Sequence, residues 1–285
     1  MDTKIEQKIT NLADDHVHGA NWLSIQAINI LNTAITISQA QTVSELLDKI
    51  HLIAKAIIKA RPNMISINNY VTQFLEELSH ASQSQQDLET VKRIAINKVD
   101  EQIMKMKKSA LQAATNGADI IKDNDTVISC SYSSTLCKAI EFAKQRAIEF
   151  KFIIAESRFN NKSYGRLCAN QLEQFSIQPK LIPDKSISRY IHSSNKAMVG
   201  ADTILFDGSL INGSPSHDLA LFASQAGIPF YTICEIAKLD RGNYYGNHVK
   251  HIGGFDRIPP QLISGIITET GIIKPSEVSQ YRSRY

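Results

Sequence analysis

The sequence predicts an α/β protein with a helical N-terminal domain, residues 1–116, followed by a parallel-sheet domain, residues 117–285. Three observations carry this. Apolar residues recur at helical spacing through the first part. From about residue 118, short β-branched runs alternate with helical stretches, the pattern of a parallel sheet covered on both faces. No proline falls between residues 63 and 178, so the segment Asp87 to Asn116 reads as one long helix.

In the first part, Asn21 to Ala34 carries Trp22, Leu23, Ile25, Ile28, Ile30 and Leu31 on a helical period. Thr42 to Ala60 repeats the pattern, with Thr42 or Ser44 as its cap. Arg61-Pro62 ends that helix, because the residue before a proline is disfavoured in helical geometry. Ser66 to Ser79 reads as a further helix, and Gly117 as the stop of the long one. Ser82 to Gln86 is the one linker-like patch. In the second part, strands are expected at Thr126–Cys130, Phe150–Ala155, Pro179–Ile182, Ala197–Val199 continuing through Thr203–Phe206, Phe230–Cys234 and Ile266–Thr268. Helices are expected at Leu136–Ile148, Gly165–Phe175, Ile187–Ser193 and His217–Gln225.

Composition narrows the function. The chain of 285 residues is 43% hydrophobic and 21% charged, with a net charge of +3, ordinary values for a globular protein. So small a charge without basic blocks gives no reason to expect direct nucleic-acid binding. The polar start MDTKIEQKIT does not read as a signal peptide, and no apolar run approaches the roughly 20 residues of a membrane helix. Cys130, Cys137, Cys168 and Cys234 form no Cys-x-x-Cys pair, which argues against zinc and for free thiols in a cytoplasmic protein. No metal and no cofactor is expected.

In open parallel sheets ligands bind beyond the carboxyl ends of the strands, and the polar residues there are the candidates. Ser131, Ser133 and Ser134 precede a helix start. They either help bind an anion or cap the helix. Cys130 is either a nucleophile or acid, or a buried and inert thiol. Glu156, Ser157 and Arg158 either line a polar cleft or form an internal salt bridge. Asp202 follows Gly200-Ala201 and faces a crowded cleft, whereas Asp207-Gly208 is more simply a turn. Lys238 and Asp240 follow the fifth strand. Arg61 is either a phosphate fork or a surface residue before a helix-breaking proline. His16 and His18 form a His-x-His pair without the further ligands a metal needs.

Taken in order and spacing, these pieces resemble one family: the alpha, beta and delta subunits of translation initiation factor 2B, ribose-1,5-bisphosphate isomerase and methylthioribose-1-phosphate isomerase. The resemblance rests on His18-Gly-Ala, Arg61-Pro-Asn-Met-Ile-Ser-Ile-Asn-Asn69, Asn116-Gly-Ala-Asp-Ile-Ile, Thr126-Val-Ile-Ser-Cys-Ser-Tyr-Ser133 and Ala155-Glu-Ser-Arg158. It continues through Gly200-Ala-Asp202, Asp207-Gly-Ser-Leu-Ile-Asn212, Gly227-Ile-Pro-Phe-Tyr231, Glu235, Lys238, Phe255-Asp, Pro259-Pro260 and the run from Ile266 to Pro275.

The resemblance implies a Rossmann-like second domain, a homo-oligomer (a dimer or higher) with related subunits as further partners, and a phosphorylated sugar or nucleotide bound between the domains. The isomerases it includes turn an aldose 1-phosphate into a ketose phosphate, a cysteine and an aspartate moving the protons. Asp202 falls on that aspartate and Arg61 on a phosphate-contacting arginine. The cysteine's place is taken by Ser131, with Cys130 one residue earlier. His18 stands where an arginine is expected, Gly213 where a lysine is, and Pro215-Ser216 replaces Gly-Thr. The catalytic candidates are therefore Asp202, Ser131 and Cys130. The ligand-binding candidates are His18, Gly19, Ala20, Arg61, Ser133, Glu156, Arg158, Asn212 and Lys238. The losses at 18, 131 and 213 favour a regulatory or binding protein; the alternative is an aldose–ketose isomerase using Asp202 as acid and base.

Overall fold

A computed structural model of the chain describes residues 1–15, 17–62, 64–83, 87–240 and 253–283. Its contacts divide it into two compact units, Met1–Lys108 and Ser109–Tyr285. The first is helical: α1 (Thr3–Asp14), α2 (Ala20–Thr36), α3 (Val43–Ala60), α4 (Ile65–Gln83) and most of α5 (Leu88–Ala118). Their apolar faces meet in one core that includes Ile28, Leu31, Ile50, Ile57, Phe74 and Val99. The start of α3 shows how the sequence fixes an end. The Thr42 hydroxyl accepts from the Glu45 amide at 3.2 Å, and the Glu45 carboxylate accepts from the Gln41 amide at 2.9 Å, so two orphan donors are satisfied together.

Gly117 does not stop α5, which runs on to Ala118. Its role is close packing: a Cβ there would lie 2.3 Å from Ile233 Cδ1 and 3.1 Å from Ala139 Cβ. A glycine near a helix end reads as a cap in sequence, and only the tertiary contact shows it to be a space-saver.

The second unit contains β1 (Thr126–Ser129), α6 (Ser134–Gln145), β2 (Lys151–Ala155), β3 (Arg158–Phe159), β4 (Lys162–Ser163), α7 (Tyr164–Glu173), β5 (Lys180–Ile182), α8 (Ile187–Tyr190), β6 (Lys196–Val199), β7 (Thr203–Ile204), β8 (Leu210–Gly213), α9 (Ser216–Gln225), β9 (Phe230–Ile233), β10 (Phe255–Ile258), β11 (Gly265–Thr268) and β12 (Gly271–Ile273). Seven strands form the main sheet in the order β12-β11-β9-β6-β1-β2-β5. All neighbours run parallel except the edge strand β12. The strands are apolar on both faces because both are covered. One core joins Ile128 and Val199 to Leu219 and Ala220 of α9; the other joins Val127 and Ile154 to Ala139 of α6 and Leu172 of α7.

Thr203–Phe206 does not extend the fourth strand. Asp202 donates its amide to the Ile211 carbonyl at 3.0 Å, and Thr203–Ile204 pairs with β8 in a separate three-stranded sheet, β10-β8-β7. The break falls at Gly200, where Ser133 occupies the space a side chain would need, 2.4 Å from the position of a Cβ. Among the described residues, no helix is long and apolar enough to cross a membrane.

Candidate functional site

The carboxyl ends of β1, β2, β5, β6, β9 and β11 bring a polar group of residues to one edge of the main sheet. Two serines shape it. Ser131 has φ 64° and Ser157 φ 51°, a left-handed conformation that costs a side-chain-bearing residue about 1–3 kcal/mol and that collects at functional positions. They hold each other. The Ser131 amide donates to Ser157 Oγ at 2.6 Å, and the Ser157 amide donates to Asp184 Oδ1 at 2.7 Å. Asp184 Oδ2 accepts from the Arg158 amide at 3.2 Å. Asp184, at the end of β5, thus fixes the β2 turn, and that turn fixes the turn after β1.

Glu156 and Arg158 form the salt bridge that sequence left as one of two readings. The guanidinium reaches both carboxylate oxygens, at 2.7 and 3.0 Å. Hydrogen bonding to Arg158 holds the Glu156 carboxyl below its ordinary range, and the same bond holds Arg158 above its own. Ser133 caps α6, accepting from the Leu136 amide at 3.2 Å. That contact uses one lone pair and leaves the hydroxyl proton outside the cap.

Toward β9 and β11 the edge is buried and charged. Lys238 Nζ lies 3.3 Å from Glu235 Oε2, both side chains almost wholly enclosed. Glu235 Oε1 accepts from the buried Thr135 hydroxyl at 3.0 Å. Burial works against the Lys238 charge, but Glu235, then Cys234 and Asp202, outweigh it and hold its pKa above the ordinary lysine value. Asp202 therefore stands within the electrostatic reach of Lys238. Glu269, at the end of β11, accepts from the Ile236 amide at 2.9 Å, and burial raises its pKa.

Behind this edge sits a network that sequence did not assemble. Cys130 Sγ lies 3.2 Å from Ser216 Oγ. Ser216 Oγ accepts from Asn212 Nδ2 at 2.8 Å and donates to the Gly213 carbonyl at 2.6 Å. Burial pushes the Cys130 thiol up to about 12; the Ser216 contact offsets this in part, and the carboxylates of Asp256, Asp184 and Asp218 add to it. Gly213 is seated against Ser131, where a Cβ would stand 2.4 Å from Ser131 Oγ. Asp207 belongs to a turn, as its Asp-Gly sequence suggests: it accepts from the Ser209 amide at 2.9 Å and pairs with Arg257 at 2.6 Å.

His18, Gly19, Ala20 and Arg61 meet in the helical unit around Asp15. Gly19 is the N-cap of α2 and Ala20 its first residue. Asp15 accepts from the His18 ring at 2.7 Å and from the amides of Val17 and His18 at 2.9 and 3.0 Å. Burial opposes its charge, but the amides of His18 and Val17 outweigh this and hold its pKa low. The His18 ring stacks on Trp22 with centroids 3.8 Å apart. Arg61 donates Nε to the Leu12 carbonyl at 2.9 Å and Nη2 to the Asp15 carbonyl, so it closes the end of α1. His16, the other half of the His-x-His pair, lies outside the described residues, as do Asn63 of the Arg61 motif and Ser84–Gln86 of the linker-like patch.

Asp184, Thr135, Glu269 and the second role of Ser216 escaped the sequence reading. Asp184 was within reach of the rule applied to the other strands, since it follows a strand's carboxyl end by two residues. Thr135 and Ser216 carry no such signal, because their partners lie 100 and 86 residues away.

A helical unit followed by a doubly covered, mostly parallel sheet with a polar carboxyl edge defines the chain as an α/β protein. Within that class the chain belongs to the Initiation factor 2 subunit family, which it matches over residues 16–252. It is 28% identical to a putative translation initiation factor eIF-2B subunit 2-like protein of Pyrococcus furiosus, covering 95% of this chain and 97% of that one. It is also 28% identical to a ribose 1,5-bisphosphate isomerase of Methanocaldococcus jannaschii, covering 94% of this chain and 90% of that one. Its fold superposes on the crystal structure of the Pyrococcus horikoshii translation initiation factor eIF-2B with a TM-score of 0.84 at 26% identity, covering 96% and 98% of the two chains.

Proposed function

We propose that this protein is a binding or regulatory member of its family, holding a phosphorylated sugar or nucleotide at the carboxyl edge of the sheet without turning it over. The pair Cys130-Ser131 carries this reading. The thiol stands one residue before the expected position, is buried against Ser216, and ionises only near about 12, so it is a poor nucleophile or acid at neutral pH. Ser131 occupies the expected position, but among the described residues no base hydrogen-bonds its hydroxyl, and an unassisted serine is a weak nucleophile. Ser133, the Glu156–Arg158 pair and Lys238 supply polar and cationic contacts suited to a phosphorylated ligand. Asn212 acts through Ser216 as a positioning residue. The protein works as a homo-oligomer or beside related subunits, which sedimentation at several concentrations would show as a mass above one chain.

The test is thermal unfolding with ribose 1,5-bisphosphate, other aldose 1-phosphates and nucleoside monophosphates. A ligand at a hundredfold excess over its Kd adds about 2.7 kcal/mol to stability, a clear rise in Tm. Arg158→Ala, at an exposed position, should shrink that rise. No rise with any member of the panel rejects the reading.

One observation favours the isomerase alternative: Asp202 lies in the field of Lys238. There a carboxylate can take a proton from the sugar and return it to the neighbouring position. On that reading Asp202→Asn abolishes formation of the ketose phosphate, and its absence with the unmodified protein excludes turnover.

A further inference from the structure

The opposite edge of the same sheet holds a cavity. It opens at the amino ends of β1, β2 and β5 and has a volume of about 400 Å³, within the range of small-molecule sites. Strands of three to five residues separate it from the carboxyl edge by roughly 10–16 Å, and the carboxyl-end rule for parallel sheets does not account for it.

The lining has a definite chemistry. Lys144, Lys151 and Lys180 line it, together with Phe150, Phe152 and Tyr190, and among the described residues no Asp or Glu contributes to the wall. Lys144 shares its charge with Glu149 at 3.1 Å, an exposed pair. Lys151 and Lys180 have no ion-pair partner among the described residues. Lys180 Nζ instead sits 4.6 Å over the centre of the Tyr190 ring, an arrangement that orients the ammonium without neutralising it. The backbone offers little competition. The Thr126 amide is given to Asn195 Oδ1 at 2.6 Å and the Lys151 amide to the Asp125 carbonyl at 2.8 Å. The ammonium groups are the charged donors this wall offers an anion.

Unpaired cations around a concave wall with aromatic residues suit a ligand that joins negative charge to a flat apolar body. We propose that this cavity binds phosphate esters of aromatic ring systems, the phosphate between Lys151 and Lys180 and the ring against Tyr190 and Phe150. The site is independent of the one at the carboxyl edge and shares no residue with it.

Isothermal titration with 2-naphthyl phosphate, inorganic phosphate and 2-naphthol tests this. The naphthyl phosphate should bind more tightly than either half alone, and more weakly as salt rises. Lys151→Gln with Lys180→Gln should weaken it at least tenfold. Both positions are exposed, and an unchanged circular dichroism spectrum would show the fold kept. Tyr190→Ala should weaken naphthyl phosphate by a larger factor than it weakens inorganic phosphate, since the ring both stacks on the ligand and orients Lys180. Arg158→Ala, which alters the carboxyl edge, should leave naphthyl phosphate binding intact, so a failure at either edge is distinguishable from a failure at the other. Undetectable binding, equal affinity in the double lysine variant, or loss of binding in Arg158→Ala would overturn the proposal.

Discussion

The two edges of the main sheet treat charge in opposite ways. At the carboxyl edge the charged groups are paired and in part buried: Lys238 with Glu235, Arg158 with Glu156, Asp184 with two backbone amides. At the amino edge Lys151 and Lys180 stand exposed, with a ring and no carboxylate beside them. Paired charges fix geometry, because each partner is held by the other before any ligand arrives. Unpaired charges fix only a preference for counter-charge. On the proposed reading the carboxyl edge is a shaped site and the amino edge an electrostatic one, and substitutions should separate them.

The largest expected effect is at the buried pair. Lys238→Ala strands the Glu235 carboxylate inside the protein and should cost about 3–5 kcal/mol of stability in urea unfolding. A loss near zero would mean that the pair is solvated and the edge is not preorganised. The counterpart at the amino edge, Lys180→Ala, should change stability by less than about 0.5 kcal/mol.

The next effect is alkaline. An unfolded cysteine ionises near 9.0, whereas Cys130 stays protonated to about 12. Between those values the unfolded state binds fewer protons than the folded one, so stability falls as pH rises, by about 1.4 kcal/mol per unit from this group. Cys130→Ala should flatten that limb when unfolding is compared at about pH 8 and about pH 10. A limb of unchanged slope would mean that the thiol reaches solvent.

Packing against the serine turns gives a smaller effect. Gly200→Ala drives a Cβ into Ser133 and should cost about 1–3 kcal/mol. Gly213→Ala presses on Ser131 Oγ, and Ser131→Ala should relieve part of that, a coupling of about 0.5–1 kcal/mol in a double-mutant cycle. Strict additivity would separate Gly213 from Ser131 and weaken the link between the two departures from the isomerase pattern.

Much of this layout was legible in the sequence. The parallel sheet follows from β-branched runs alternating with helical ones, and the carboxyl-edge rule singles out Glu156, Arg158, Asp202 and Lys238 as candidates. What stayed hidden depended on distance along the chain or on the side a residue faces. Gly117 reads as a helix stop until Ile233 is seen against it. Thr203–Phe206 reads as more of the fourth strand until Gly200 is found under Ser133. Leu210–Gly213 carries no strand signal, because its Asn and Gly hide a strand that exists only by pairing with Thr203–Ile204 and Phe255–Ile258. Arg61 reads as a phosphate fork until its donors are followed to the carbonyls of Leu12 and Asp15. The amino-edge cavity left no trace, since three lysines from a helix end and two strand starts share no motif.

The central claim is binding without turnover at the carboxyl edge. Phosphorus NMR of ribose 1,5-bisphosphate incubated with the protein tests it most directly, because bound ligand and converted product are seen in one spectrum. Substrate resonances that broaden or shift with protein concentration and never give way to ketose bisphosphate are the expected result. Growth of ketose bisphosphate signals, abolished by Asp202→Asn, would contradict the account and make the protein an isomerase.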